Sequence, residues 1–150
     1  MMIKRFFPVL FLLLLCFQCD EDIDDCSTVL CAGPPSLALR ILENGGNVFT
    51  NETYTLEDLV ITGENSSEIS SNIFESQDGT PLLILENFPW QLGENNYTLT
   101  FGGQASADLS IDITLSENDG CCGGIEQLRS FSSNGRVTEL NNGSYSVSLR

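Results

Sequence analysis

Histidine is absent from the chain, and lysine occurs once, at Lys4. Without an imidazole, no Ser-His-Asp or Cys-His pair can be assembled. Beyond residue 4 no lysine amine serves a Ser-Lys scheme or a Schiff base. The G-x-x-x-x-G-K-[ST] phosphate cradle is missing as well. Carboxylate chemistry survives, as in glycosidases, which set two acids about 5–10 Å apart. Asp108 and Asp112 share one strand face but stand roughly 13 Å apart at Cα, so they read as solvated surface acids. No catalytic residue is expected.

Basic charge and long apolar runs are also scarce. Six Lys and Arg face 21 Asp and Glu, a net charge of −15. Such a balance excludes nucleic acid and anionic headgroups as partners. The longest apolar run, 6–17, contains Pro8 and falls short of the ~20 residues a membrane-crossing helix needs. No D-x-[DN]-x-[DN]-G loop occurs, which leaves the acidic turn Glu117-Asn118-Asp119-Gly120 as a weak calcium candidate. No metal or other cofactor is expected. Tryptophan occurs once, at Trp90, beside Phe88-Pro89. Such a residue either plugs the end of a core or, exposed, stacks on a ligand, so Trp90 is the candidate contact.

What is present begins with the first 25 residues. Lys4 and Arg5 precede the apolar run, and Gln18, Cys19 and the acids Asp20, Glu21, Asp22, Asp24 and Asp25 follow it. A charged start and a short apolar stretch describe a cleaved export signal. No small-x-small pair follows, but a cysteine just beyond the apolar stretch suits lipoprotein processing. The segment Leu15-Cys16-Phe17-Gln18-Cys19 resembles a relaxed lipobox, and with the acids behind it the stretch is similar to lipoproteins of the Bacteroidetes group. That resemblance implies acylation of Cys19, with Cys16 as the rival site, and an acid-rich signal for display at the cell surface. Gln18 departs from the small residue a strict lipobox carries before its cysteine. Two or more acyl chains such as palmitate hold a protein stably, at about 0.8 kcal/mol per buried methylene. The expected organisation is a signal peptide over 1–18, a lipidated acidic tether over 19–33 and one domain over 34–150. Without its first 18 residues the chain carries four arginines against 21 acids, a formal charge of −17.

Four cysteines remain after Cys16 and Cys19: Cys26, Cys31, Cys121 and Cys122. An even number in an exported chain points to two disulfides. Adjacent Cys121 and Cys122 pair only with peptide strain, so bonds from 26 and 31 to 121 and 122 are expected. Closing so long a loop is worth about 4 kcal/mol in the chain-entropy model. The C-x4-C and C-C spacing does not suit a zinc ribbon.

The rest of the pattern has period two. Leu37, Leu39 and Ile41 alternate, Asn44-Gly45 turns, and 36–50 reads as a hairpin. Further strands are expected over 54–56, 59–62, 69–74, 97–101, 125–131, 136–140 and 145–149. Residues 81–86 form an apolar run suited to a strand buried on both faces. The cleanest alternation is 107–115, with Ala107, Leu109, Ile111, Ile113 and Leu115 inward. Turns are expected at Asp78-Gly79, 93–96, Asn134-Gly135 and Asn142-Gly143. No segment shows a convincing period of 3.6. The expected fold is an all-β antiparallel sandwich, immunoglobulin-like or transthyretin-like.

These readings converge on a lipid-anchored lipoprotein of the outer membrane, exposed at the cell surface. Its expected role is that of a non-enzymatic binding or accessory module whose partner is an envelope protein or glycan. The alternative is a structural subunit of an envelope assembly, and a carboxylate glycosidase is a distant third.

Overall fold

In the computed structural model, residues 36–117, 122–141 and 143–150 are described. The chain divides into two compact units, Met1–Cys31 and Ala32–Arg150, and all described residues belong to the second. Cys19, the acids at 20–25, Cys26, Cys31 and Cys121 lie outside the described residues, as do 118–120 and Asn142.

Among the described residues ten strands form two sheets. In chain order they are β1 (Leu37–Glu43), β2 (Gly46–Asn47), β3 (Leu59–Gly63), β4 (Ser70–Glu75) and β5 (Pro81–Glu86). They continue as β6 (Gly93–Phe101), β7 (Ala105–Leu115), β8 (Glu126–Ser133), β9 (Arg136–Val137) and β10 (Tyr145–Ser148). Sheet A runs β10-β1-β5-β4, with β2 folded back on β1, and sheet B runs β3-β6-β7-β8-β9. The protein is an all-β sandwich, as the period-two alternation predicts.

Alternation builds the core. Leu37, Leu39 and Ile41 of β1, Leu83 and Leu85 of β5, and Val147 of β10 meet Leu99 and Phe101 of β6, Leu109, Ile111 and Ile113 of β7, and Phe131 of β8. Each is at most 2% exposed. Every fully buried side chain of this size contributes about 1.5–3 kcal/mol relative to exposure. Two Asn-Gly pairs make the tightest hairpins. Asn44 and Gly45 (φ +49° and +83°) join Glu43 to its partner Gly46, and Asn134 and Gly135 (φ +50° and +74°) join Ser133 to Arg136. Two consecutive positive φ values match the right-handed twist of the flanking strands, and Asn and Gly tolerate them best.

Several expectations are corrected. Residues 54–56 form no strand; Leu56–Asp58 is a 3-10 turn, because the Asp58 carboxylate accepts the backbone N–H of Thr55 at 2.8 Å and closes a local cap. The turn expected at 93–96 is the start of β6, since pairing of Gly93 through Asn96 with Ile113 through Ser110 outweighs local turn preference. Asn95 is tolerated there because its buried amide donates to the carbonyls of Gln91 (2.8 Å) and Gly93 (3.0 Å). Leu115 is 44% exposed, because β7 runs on past the end of the core. Only Arg136–Val137 of the 136–140 segment is strand. Finally, β10 pairs with β1 in parallel, Leu39 opposite Tyr145 and Ile41 opposite Val147. The other strand pairs are antiparallel among the described residues.

Candidate functional site

The outward faces of the two sheets differ in kind. On sheet B several polar side chains pair with one another. Thr98 donates to Asp108 Oδ1 at 2.9 Å, and Arg150 pairs with Asp108 Oδ2. Ser110 donates to Glu94 at 2.9 Å. Arg129 sits at a bulge, where Ser130 faces Asp112 and Leu128 faces Ile113. Through Nε (2.7 Å) and Nη2 (2.6 Å) it holds Asp112 Oδ2, while Asp112 Oδ1 is buried without a partner. The bulged residue thereby re-aims a cation at the neighbouring strand. Asp108 and Asp112, the acids weighed for carboxylate chemistry, are thus each engaged by a different arginine.

Sheet A carries a groove on its outward face, with a volume of about 840 Å³. Three strands build it from residues of one parity. Asn72 of β4, Ile84 of β5 and Ala38 of β1 form one row, since Ile84 is the partner of both others. Phe74 faces Leu82 in the next row, and the same register brings Arg40 to the far side of Leu82. On the opposite flank Glu86 faces Ser70. Rows at every second residue are about 7 Å apart, so the platform is roughly 13 Å long. Its floor is apolar: Leu82 is 5% exposed although it points away from the core, and the Phe74 ring is 59% exposed at the rim.

Polar groups surround this floor. Asn72 donates to Glu86 at 3.0 Å. In the β4–β5 loop, Asp78 Oδ1 accepts from the Ser76 hydroxyl and from the Thr80 N–H. Those hydrogen bonds, and Arg40 in smaller measure, pull the Asp78 carboxyl from 3.8 down to about 2. Arg40 is the one cation among the groove's described lining residues. Its Nη2 lies 4.0 Å from Asp78 Oδ2, beyond hydrogen-bond reach, and its Nε is buried without any partner. A guanidinium has five donors in a fixed fork, so leaving a buried one unused is costly.

Trp90 is not among the groove's lining residues. It is half-buried and packs edge-on against Phe88, with ring centroids 5.6 Å apart at 74°. Phe88 in turn tilts onto Tyr97 at 5.2 Å. Cys122 is disulfide-bonded, and every other cysteine of the chain lies outside the described residues. The neck of its loop is closed by Ser116 N–H to Ile125 O at 2.7 Å. Among the described residues no His, Cys, Asp and Glu group could hold a metal ion, and no helix is long and apolar enough to cross a membrane.

Motif reading singles out Trp90 and passes over Phe74 and Arg40. The trace of the groove in the sequence is the unbroken run Leu82 to Leu85, which announces an apolar residue on the outward face of β5 as well as the inward one. No family model matches this chain, and neither a curated protein nor a solved structure matches it. The structure therefore defines it at the level of class, an all-β sandwich with a concave apolar face.

Proposed function

We propose that this protein is a lipid-anchored, non-enzymatic binding module displayed at the outer membrane surface, with the sheet A groove as its ligand face. The observation that carries the reading is the concave outward face of sheet A, whose apolar floor includes Leu82 and whose lining includes the exposed Phe74 and Arg40. Concave, largely apolar sites with a few convergent polar groups, of about 300–1,000 Å³, are where ligands bind. The anchor rests on Cys19 and the display on Asp20, Glu21, Asp22, Asp24 and Asp25. The mature chain's acidity keeps the module soluble and discourages adhesion to anionic surfaces.

A photo-cross-linker tests the groove on intact cells. Placed at Gln77, in the groove loop, it should give a mass-shifted adduct. Placed at Ser110, on sheet B, it should give none. Absence of an adduct at Gln77, or equal yields at the two sites, would refute the assignment.

A second reading, a structural subunit of an envelope assembly, draws on β4. Among the described residues that strand is an edge of sheet A, paired with β5 alone, and carries Ile73 and Phe74 exposed. An open edge with apolar side chains is a template for another strand. Under this reading, cross-linker placed within β4 would capture one polypeptide in fixed stoichiometry.

A further inference from the structure

We infer that Asn44 is a site of spontaneous covalent modification: the Asn44-Gly45 turn deamidates in the folded protein, whereas the equivalent turn at Asn134-Gly135 is held against it. The site is independent of the groove.

The reaction needs only the turn itself and water. The Gly45 backbone nitrogen attacks the side-chain carbonyl carbon of Asn44 and closes a cyclic imide. The bond that forms is Gly45 N to Asn44 Cγ, and the bond that breaks is Cγ–Nδ2. The Gly45 N–H proton passes to base, while Nδ2 takes a proton from water and leaves as ammonia. Water then opens the ring at either carbonyl. One opening gives aspartate on the ordinary chain path, the other isoaspartate with the chain routed through Cβ and Cγ. Asparagine and water thus become aspartate and ammonia, with nothing oxidised or reduced. Glycine in the following position favours attack, because no side chain crowds its nitrogen.

Three Asn-Gly pairs occur, and two of them lie wholly within the described residues. These two share a backbone conformation, with φ +49° and +83° at 44 and 45 and φ +50° and +74° at 134 and 135. Their side-chain partners separate them. Asn134 Oδ1 accepts the Asp108 N–H at 3.0 Å, and its Nδ2 donates to Ser148 O at 2.7 Å. Both ends of that amide are therefore tied to strands, β7 and β10, and it cannot turn toward Gly135 without releasing them. Asn44 is exposed, and among the described residues neither its amide nor the Gly45 N–H has a hydrogen-bond partner. Asp78-Gly79, which closes the same ring with loss of water, is also held back. Its carboxyl, drawn down to about 2, is ionised at neutral pH and resists attack, and the Gly79 N–H donates to Ser76 O at 2.9 Å.

The product changes the fold locally. Isoaspartate adds an atom to the main chain of a tight turn whose geometry sets the register of its strands. Glu43 and Gly46 close that turn. Beyond it, Asn47 Nδ2 donates to Pro81 O at 2.9 Å and the Val48 N–H to Ile41 O at 3.1 Å. Lengthening the turn strains those ties and loosens β2 from the end of β1.

The test follows the full-length protein in detergent, incubated in heavy-oxygen water at mildly alkaline pH and mapped by mass spectrometry over time. Heavy oxygen in the product separates conversion during incubation from conversion before it. Labelled aspartate and isoaspartate are expected at 44, with conversion at 134 about 30-fold slower, or ~2 kcal/mol at 1.36 kcal/mol per tenfold, the net worth of two hydrogen bonds. In denaturant, where those bonds are gone, the two pairs should convert at similar rates. Asn44→Gly removes the reactive amide and keeps a residue suited to positive φ; its unfolding midpoint should hold on incubation while that of the wild type falls. An Asn44 that stays intact in the folded protein yet converts in denaturant would overturn the inference, as would folded-state conversion at Asn134 as fast as at Asn44. An equal fall of both midpoints would refute the loosening of β2.

Discussion

Phe131 is where the two sheets are most directly coupled through aromatic packing, and it makes the sharpest stability prediction. Its ring, from β8 of sheet B, stacks on Tyr145 of β10 in sheet A, with centroids 4.5 Å apart and planes 28° from parallel. Phe131 is 2% exposed. The strand it touches and the residues after it are also tied by the parallel ladder to β1, Leu149 N–H to Leu42 O at 2.8 Å, Asn134 Nδ2 to Ser148 O at 2.7 Å, the Ser106–Arg150 backbone pair at 3.0 and 3.1 Å, and the Arg150–Asp108 ion pair. Truncating a buried Phe to Ala typically costs about 3–5 kcal/mol, lost transfer energy plus a cavity the neighbours fill only in part. Against a total stability of about 5–15 kcal/mol for a domain, Phe131→Ala should leave a marginal fold. With a urea slope of about 2 kcal/mol per M, the unfolding midpoint should drop by roughly 2 M. Trp90, the single tryptophan and half-buried against the core, provides the fluorescence signal. A double-mutant cycle of Phe131→Leu with Tyr145→Leu should return a coupling of about 0.5–1.5 kcal/mol. A cost for Phe131→Ala below about 1 kcal/mol, or no coupling in the cycle, would show that the stack does not join the sheets energetically.

Four further outcomes are expected. Asp78 has a carboxyl depressed from 3.8 to about 2 by its hydrogen bonds to Ser76 and Thr80; its stabilisation is therefore present above 3.8 and lost as pH falls through about 2, and thermal unfolding of Asp78→Asn should be less acid-sensitive across that window. Cys19→Ala should abolish labelling by a fatty-acid probe, whereas loss of label only in Cys16→Ala would move the anchor to the rival cysteine. Replacing Asp20, Glu21, Asp22, Asp24 and Asp25 with Ser should leave the protein lipidated but protected from protease added to intact cells; equal digestion of variant and wild type would reduce those acids to a solvated tether. Non-reducing peptide mapping should link peptides holding Cys26 and Cys31 to those holding Cys121 and Cys122, and a bond between Cys26 and Cys31 alone would refute that arrangement.

The parts of the fold legible in the sequence are those set by neighbours along the chain. Leu37-Leu39-Ile41 and Ala107-Leu109-Ile111-Ile113 alternate because one sheet face is buried, and the same residues prove buried. The Asn-Gly pairs at 44–45 and 134–135 bend where local backbone chemistry demands it. Errors fall where a distant partner overrides a local preference. Glu94-Asn95-Asn96 looks like a turn until β7 offers it a ladder, and nothing near β1 or β10 announces that the first and last strands run in parallel.

The groove is illegible for the same reason, taken one step further. Arg40, Phe74 and Leu82 are separated by up to 42 positions, and only the pairings β1–β5 and β4–β5 bring them into one row. Each is unremarkable by itself: a surface arginine, an exposed phenylalanine and one leucine in an apolar run. The run Leu82-Leu83-Ile84-Leu85 nonetheless carries information, because a strand with one wet face should place a polar residue at every second position. Here both faces of β5 are apolar. In a doubly wound sheet the second face would be covered by helices, but no helix packs there among the described residues. Its cover is only partial, a groove shaped by the Arg40 stem, the Phe74 ring and the 76–80 loop. A strand apolar on both sides, in a sandwich that buries only one, is thus the mark the groove leaves in the sequence, and under the proposed function it is the mark of the ligand face. That mark points to β5 and its neighbours rather than to the lone tryptophan.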